Sequence, residues 1–402
     1  MRLADEQRDW LALSMVPGVG TAHFIRLLAR FTTPANVLRA SEARLAEVVG
    51  PALAKRIRGW KEAADLEEQE RRLIHYNAHL LTMDDPAYPD RLAEIYDPPL
   101  ALFYRGTFSE EDQNAVALVG TRKPSPYGIQ VAEKLARGLA ERGVTVVSGL
   151  AAGIDAAAHR GAIEAGGRTI AVLGCGVDIV YPQENADLMH RITEHGCVLS
   201  QFPMGTKPSR GHFPYRNRII SGVSLGVVIV EAPRQSGALI TARQAAEQGR
   251  EVFAVPGPIT QANSQGPHAL IREGAKLVES VDDILVELNL GAEVRARSVA
   301  PVQADERRAP APEAAPKPAA PAAETATAPP PRPVAPPRPA TPPIEVTAKE
   351  KDILSVLAPE GSFVDEIAMA CRISVAEALS ALTMLELKGL VRQFSGKRFT
   401  RR

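Results

Sequence analysis

The sequence lacks several residue patterns on which familiar kinds of site depend. Its 402 residues include only three cysteines, far apart and without a CxxC pair, which is typical of a reduced compartment. No HExxH motif, metal-ligand cluster or GxxxxGK(S/T) loop occurs, which argues against a zinc hydrolase and a P-loop motor. No run reaches roughly 18 apolar residues, and the amino terminus has no apolar signal region. These absences predict a cytoplasmic protein without a membrane anchor, metal or cofactor.

The chain also has no net charge. The 47 lysines and arginines balance the 47 aspartates and glutamates, so only a local cluster could indicate a polyanionic partner. Hydrophobic residues make up 45% of the chain, which at this length suffices for two or three packed domains. Between Pro301 and Pro343 lie 15 of the 33 prolines, set among alanines, and such a segment cannot bury enough apolar area to fold. It predicts a linker before a small carboxy-terminal unit.

Short β-branched runs alternate with helical patterns from about residue 115 onward. The runs are Ala115–Val119, Val144–Val147, Thr169–Leu173, Leu225–Val230 and Glu251–Val255. Tyr127–Arg142 and Ala238–Gln248 are helical patterns between them. This alternation predicts an α/β fold, a mostly parallel sheet with helices on both faces. Ligands of such sheets bind beyond the carboxyl ends of the strands.

The loops after these predicted strands are rich in small residues. Gly120-Thr121-Arg122 precedes a helix that Ser125 and Pro126 are suited to open. Ser148-Gly149, Gly174-Cys-Gly176 and Ser236-Gly237 follow three other strands. Exposed backbone amides and the fork of Arg122 favour a phosphate group, although an ordinary turn with a solvated arginine has the same pattern.

The stretch 213–222 reads Phe-Pro-Tyr-Arg-Asn-Arg-Ile-Ile-Ser-Gly and precedes the apolar run 225–230. Burying its two arginines costs several kcal/mol unless anions or carboxylates meet them. The spacing therefore predicts either an anion-binding floor or internal ion pairs, for which Asp178, Glu231 and Glu247 are available. Residues 222–226 match GxSxG, but a nucleophile elbow needs a strand before the serine and a helix after it. The order here is reversed, which argues against a hydrolase.

Asp155 and His159 share a helix face because they are four residues apart. A cap and its hydrogen-bonded neighbour are favoured over a catalytic pair, since no nucleophile accompanies them. The loops after the strands are suited to bind an anion but carry no evident catalytic residues, which favours a binding protein over an enzyme. Two alternatives stay open: a nucleotide phosphoribohydrolase that uses Asp155 and Glu231, and a structural scaffold whose arginines are internally paired.

Both ends of the chain carry possible nucleic-acid elements. Val16-Pro-Gly-Val-Gly20 before Ala22–Phe31 resembles a helix-hairpin-helix unit, and Val49–Ile57 resembles a weaker second copy. Plain helix connectors also contain such glycine turns. From 347 onward, three short helices and a final hairpin describe a winged helix, a fold that binds DNA or protein. Six basic residues and no acidic ones follow Glu386, which suits a nucleic-acid backbone.

These segments, in this order, resemble the bacterial DNA-processing protein A (DprA/Smf) family over roughly residues 10–290. The blocks that carry the resemblance are Val119–Arg122 with Tyr127-Gly128, Ser148-Gly-Leu, Gly153-Ile-Asp155 with Ala158-His159, Tyr181-Pro182 with Asn185, Phe213–Ile220, Ser236–Arg243 and Phe253–Gly257. The tail is similar to the winged helix that many members append. The domains expected are a helical, SAM-like helix-hairpin-helix domain at 1–75, an extended Rossmann-like domain at 76–292, a Pro/Ala-rich linker at 293–343 and a winged helix at 344–402.

The resemblance implies a homodimeric core that binds and protects single-stranded DNA and helps load the RecA recombinase during natural transformation. It assigns phosphate contact to Arg122, with close backbone approach at Gly120 and Thr121. It also implies that Arg216, Asn217 and Arg218 form the floor of the same pocket, which Ser148, Gly149, Ser236 and Gly237 line. Phe213 would stack on a base.

Three departures from the family pattern stand out. Gln201 occupies a position where the family usually has glutamate, so a charge expected beside the pocket is missing. Ala152 stands where an arginine is common, which removes a possible phosphate contact. The long linker leaves the position of the tail undefined.

Overall fold

The computed structural model describes residues 3–290, 348–357, 362–371, 391–394 and 398–401, with single positions between 373 and 390. The described part of the chain divides into two compact units, one within Met1–Asp305 and the other within Glu306–Arg402. The predicted linker at 293–343 lies outside the described residues. None of the described helices combines the length and apolar character needed to cross a membrane.

The first unit is built on a nine-stranded sheet. Its strands are β1 (Ala78–Thr82), β2 (Ala101–Gly106), β3 (Ala115–Val119), β4 (Thr145–Ser148), β5 (Thr169–Val172), β6 (Gly196–Ser200), β7 (Gly226–Ile229), β8 (Glu251–Ala254) and β9 (Lys276–Leu277). The five predicted strands are confirmed to within one or two residues at each end. Strands β1, β2, β6 and β9 were not predicted.

The strand order is β1-β2-β6-β5-β4-β3-β7-β8-β9. Strands β3 to β9 pair in parallel, whereas β1, β2 and β6 pair antiparallel in that order. From β3 the chain builds outward through β6, and it then returns to the other side of β3 to add β7, β8 and β9. This reversal makes the carboxyl ends of β3 and β7 the topological switch point, where open α/β sheets bind ligands.

Helices cover both faces of the sheet, as predicted. The helices that follow β1 in this unit are α8 (Asp90–Ala93), α9 (Pro126–Glu141), α10 (Ile154–Glu164), α11 (Ala186–His195), α12 (His212–Gly222), α13 (Ala238–Glu247), α14 (Gln265–Arg272) and α15 (Val281–Glu287). Helices α9, α10 and α15 pack on one face, and α12 and α13 pack on the other. The five residues of β3 are all buried because its alternate side chains enter cores on opposite faces.

Seven helices precede the sheet. They are α1 (Asp5–Ser14), α2 (Thr21–Phe31), α3 (Pro34–Arg39), α4 (Glu42–Val49), α5 (Pro51–Arg58), α6 (Trp60–Ala63) and α7 (Leu66–His75). Both predicted glycine hairpins are present. Gly18 lies between α1 and α2 with φ of 92°, and Gly50 joins α4 to α5 with φ of 78°, a left-handed conformation that glycine adopts without a steric penalty.

These helices share a core with one end of the sheet. Trp10 and Phe24 lie in the same apolar cluster as Phe103 of β2, and the Trp10 Nε1 donates to the carbonyl oxygen of Leu100 at 2.6 Å. The Gln69 amide both donates to and accepts from the backbone of Met204. Residues 1–75 are therefore packed within the same unit as the sheet, and the boundary at 75/76 stays a prediction.

The second unit contains α16 (Ala348–Val356), α17 (Val364–Cys371) and a three-stranded antiparallel sheet of β10 (Ser362–Phe363), β12 (Arg398–Arg401) and β11 (Val391–Phe394), in that order. The predicted hairpin is the β11–β12 pair, in which Val391 lies opposite Arg401. Most of the third predicted helix, at 374–389, lies outside the described residues. Buried Ile353, Ile367 and Leu385 belong to the core of this unit.

Candidate nucleic-acid interface

A cavity of about 130 Å³ opens at the carboxyl ends of β3, β4 and β5, and we call it the arginine cavity. Its lining comes from the loops after these three strands, from 181–182 and from the first half of α12. The lining residues are Arg122, Gly149, Ala151, Ala152, Leu173, Gly174, Cys175, Tyr181, Pro182, Phe213 and Arg216. The loops after parallel strands have thus gathered two cationic and two aromatic side chains beside the switch point.

The loop that carries Arg122 is held by hydrogen bonds to Glu231, which lies just after β7. The Thr121 amide donates to the carbonyl oxygen of Glu231 at 2.7 Å. The buried Glu231 carboxylate then accepts hydrogen bonds from the Ser125 amide, at 2.8 Å, and from its hydroxyl. Ser125 also caps α9, because its Oγ accepts from the Gly128 amide at 3.1 Å. The loop is fixed without using Arg122 itself.

Replacing Glu231 with glutamine is therefore expected to destabilise the protein by about 1–3 kcal/mol. One carboxylate oxygen becomes an amide NH₂, which would face the donors of Ser125 and Asn263 that the oxygen now accepts. Urea denaturation of the two proteins measures the difference. Unchanged stability would mean that Glu231 does not brace the loop.

Arg216 is almost fully buried and reaches the cavity from α12. It donates to the carbonyl oxygens of Gly149, at 2.9 Å, and Val172, and its Nε donates to Asn217 at 3.2 Å. Burial lowers the pKa of Arg216 to about 10, and the nearby Asp155 carboxylate opposes that shift. Asp155 accepts from the Gly149 and Ala151 amides at 3.2 and 3.4 Å. Arg216 thus forms a fixed cationic wall, charged at neutral pH.

Position 149 has no room for a side chain. A Cβ on Gly149 would lie 2.6 Å from the Arg216 Nη2 and 2.7 Å from the Asp155 Oδ2. Glycine therefore lets the loop after β4 pass between Asp155 and Arg216, and it keeps the backbone within reach of a ligand in the cavity.

Two aromatic rings and the Arg122 guanidinium stand at the cavity. The Arg122 Cζ lies 5.3 Å from the centre of the Phe213 ring, a cation–π distance, and the Tyr181 and Phe213 rings are 5.5 Å apart. Arg122 is exposed and forms no ion pair or hydrogen bond with any residue that the structure describes. Its five donors are free for an external anion.

The structure brings four of the eleven predicted site residues into the arginine cavity: Arg122, Gly149, Phe213 and Arg216. Gly120 and Thr121 adjoin Arg122 and position it. Three others have structural bonds nearby: Ser148 donates to the carbonyl oxygen of Leu118, Asn217 donates to that of Gly237, and the Ser236 Oγ accepts from the first amide of α13. Their DNA contacts stay predictions.

Arg218 does not line the arginine cavity. It lies in a separate groove with Gln201, whose Oε1 accepts from the Arg218 Nη2 at 2.8 Å. The family departure at Gln201, expected beside the pocket, therefore lies beside Arg218 in this separate groove. Ala152 does line the arginine cavity, where its methyl group replaces a longer side chain.

The arginines of α12 have carboxylates nearby: Asp155 lies beside Arg216, and Arg218 forms an ion pair at 3.5 Å with Asp97, a residue that the sequence interpretation did not name. His159 does not bond to Asp155; its Nδ1 lies 2.7 Å from the Thr169 Oγ1, and burial lowers its pKa to about 3, which keeps it neutral. Asp178 pairs with Arg72 at 2.8 Å, away from the arginines of α12. The Glu231 carboxylate accepts hydrogen bonds from Ser125. The bonds observed for Asp155, His159 and Glu231 are structural.

Sequence reasoning missed Tyr181 as a site residue. Tyr181 is 38% exposed, so its ring can meet a ligand as well as Phe213. An aromatic residue in the loop that follows the glycine-rich stretch 174–176 after β5 was the available signal.

The fold and the site define a class: α/β proteins with a Rossmann-like sheet and a cavity lined by two arginines beside its switch point, preceded by paired helix-hairpin-helix units. Comparison with known proteins gives the family. The model for DNA recombination-mediator protein A matches residues 79–289, the DprA winged helix domain matches 309–397, and the SAM-like helix-hairpin-helix tandem matches 11–66. The chain belongs to the DNA-processing protein A (DprA/Smf) family.

Individual members of this family are also similar to the chain. The protein Smf of Synechocystis sp. is 36% identical over 409 residues, which cover 99% of each chain. The DNA processing protein DprA of Streptococcus pneumoniae is 49% identical over 203 residues, 50% of this chain and 72% of that one. An X-ray structure of DprA from the same species has a TM-score of 0.62 at 38% identity and covers 71% of this chain and 99% of its own.

Proposed function

We propose that this protein binds single-stranded DNA in the arginine cavity and acts as a non-enzymatic mediator of recombination. The observation that carries the proposal is the free Arg122 guanidinium above the Phe213 ring, at the edge of a cavity with Arg216 as its cationic wall. A phosphate would bind Arg122, and a base would stack on Phe213 or Tyr181. Stacking of this kind contributes about 1–3 kcal/mol per base and tolerates any sequence.

The preference for a single strand follows from the same geometry. Bases of a duplex are stacked inside the helix and cannot lie against a protein ring, whereas those of a single strand can. A cavity of about 130 Å³ also admits a sugar–phosphate segment or one base but no duplex. Membership of a family described as DNA recombination mediators supports the proposal.

In the cell, we propose that the protein acts in the cytoplasm as a homodimer. It would protect an incoming strand and help to load the RecA recombinase on it during natural transformation. The DprA relative, named for DNA processing, supports a role with DNA. Both further steps rest on the family resemblance and on strand binding in the arginine cavity.

A gel-shift comparison of single- and double-stranded oligonucleotides of one sequence, run at two salt concentrations, tests the proposal. We expect retention of the single strand and much weaker retention of the duplex. The logarithm of the affinity should fall with the logarithm of salt at about −0.7 per phosphate neutralised. Equal retention of both, or of neither, would contradict the proposal. Release of free base from nucleoside monophosphates would favour the phosphoribohydrolase alternative instead.

A further inference from the structure

A second groove, of about 180 Å³, lies where the helices of the amino-terminal region meet the sheet. We call it the hairpin groove. Its walls include Gly20 and Thr21 at the start of α2, Gln201 after β6, and Tyr215 and Arg218 of α12. Arg216 and Arg218 are two residues apart, about 200° around a helix, which is why one faces the arginine cavity and the other this groove.

The hairpin groove contains buried hydrogen-bond donors that have no partner among the described residues. Arg218 is only 8% exposed, yet its Nε and Nη1 have no hydrogen-bond partner in the described part of the chain. The Gln201 Nε2 is also buried without a partner, because the amide uses its oxygen on Arg218. Buried polar groups are normally paired, and an unmet donor costs about 1–3 kcal/mol. Three unmet donors on two adjoining side chains indicate a missing acceptor.

The neighbouring groups do not supply that acceptor. Asp97 forms an ion pair with the Arg218 Nη2 at 3.5 Å, and its oxygens also accept from the Tyr215 hydroxyl at 3.1 Å and from the Thr21 hydroxyl at 2.9 Å. The Arg218 Nε and Nη1 stay without a hydrogen-bond partner among the described residues. Gly20 gives α2 no side-chain cap, so the first-turn amides of α2 add further donors at the groove. The groove as a whole is suited to an anion with several oxygens.

An aromatic surface leads from the arginine cavity to the hairpin groove. Phe213 lines the cavity, and His212, the residue before it, is 3.1 Å from the Gly174 carbonyl oxygen through its Nδ1. The His212 ring stacks on Phe202 at 4.2 Å, and Phe202 lines the groove. Tyr215 covers the Arg218 guanidinium at 4.1 Å while 47% of its own surface stays exposed. A base can therefore stack on its outer face.

We infer that the hairpin groove is a second phosphate subsite for the same DNA strand, with Arg218 and Gln201 as donors and Tyr215 as the stacking ring that moves aside to admit the phosphate. This inference rests on the proposed function, since the strand would enter the groove from the arginine cavity. It makes Gln201 a specificity-determining residue, because a neutral amide, unlike a carboxylate, adds no second negative charge beside Arg218, which already pairs with Asp97.

Gln201→Glu tests the inference against a length series of oligothymidylates. The carboxylate would pair with Arg218, remove the Nε2 donor and repel a phosphate. We expect unchanged affinity for oligonucleotides that fill only the arginine cavity. Longer strands should lose about tenfold, and their salt slope should become shallower by about 0.7, the value for one phosphate. Arg218→Met, which removes the charge while keeping the length, should show the same dependence on strand length.

Gln130→Glu is the matched control, because Gln130 is an exposed residue of α9 and lines neither cavity. It should leave every length unaffected. Wild-type affinity of both groove variants for long strands would overturn the second subsite, and an equal loss at all lengths would do the same. Thermal stabilisation of the wild type by inorganic phosphate, without any length effect, would identify a free-anion site and also overturn it. None of these results tests whether DNA binds in the arginine cavity, which Arg122→Glu tests separately.

Discussion

Arg122→Glu is expected to weaken binding of a single-stranded oligonucleotide by about 100-fold, at every strand length. The substitution removes charge-assisted hydrogen bonds, each worth about 1.5–3 kcal/mol, and places a carboxylate where a phosphate would lie. The protein should keep its thermal stability to within about 1 kcal/mol, because Arg122 is exposed, has no ion pair or hydrogen bond among the described residues and contacts only the Phe213 ring. Fluorescence anisotropy of a labelled oligonucleotide measures the affinity, and thermal denaturation checks the fold.

Arg272→Glu provides the charge-matched control for this experiment. Arg272 is an exposed residue at the end of α14 and lines neither the arginine cavity nor the hairpin groove, so its reversal changes only the net charge. A loss of affinity shared equally by both variants would mean that general electrostatics, not a site, governs binding. Full affinity of the Arg122 variant would remove the arginine cavity from the DNA path.

The second large effect concerns stability. Arg216→Met should lower the free energy of unfolding by about 3–5 kcal/mol, because it leaves the buried Asp155 carboxylate without its cationic neighbour. Adding Asp155→Asn to the same chain should recover a large part of that loss, since the uncompensated charge is then gone. Urea denaturation of the single and double variants forms the cycle. If the double variant is no more stable than Arg216→Met, the two charges are not coupled.

The cost of Arg216→Met should also depend on pH. Burial raises the pKa of Asp155 above its ordinary value of 3.8, and the Arg216 charge opposes this. Without Arg216, the pKa of Asp155 in the folded protein rises further. As pH rises, the unfolded chain then loses this proton before the folded protein does, so the free energy of unfolding falls. The variant should therefore be closest to the wild type near about pH 4 and fall behind toward neutrality. A constant gap across this range would exclude Asp155 as the cause.

The sequence contained enough information to predict the central strands. β3 and β7 are apolar runs buried on both faces, so their composition does not depend on which neighbour they meet. The strands at one side of the sheet are different. β6 starts with Gly196 and Cys197, and β2 pairs with it antiparallel, placing Arg105 opposite Val198 from a distant part of the chain. Such pairing is decided by tertiary context, which local patterns do not report.

The candidate site could be predicted only in part for a related reason. The loops after β3 and β4 both line the arginine cavity, as expected, because parallel strands bring their carboxyl ends together. Arg216, Asn217 and Arg218 were treated as one surface, yet a helix turns each residue by about 100° and divides the two arginines between two cavities. The pairing of Gln201 with Arg218 joins β6 to α12 and was invisible in the sequence.

The packing of the first helices against the sheet has a consequence for the protein while it is being synthesised. The partner of Trp10 at Leu100 is 90 residues further along the chain, and the partner of Gln69 at Met204 is 135 residues further. At about 5–20 residues per second, Gln69 is translated roughly 7–27 seconds before Met204. During that time the helices can pack on β1 and β2, but the part of their core that β5 and β6 supply is still missing, so we expect apolar surface at this end of the nascent chain to stay exposed until then.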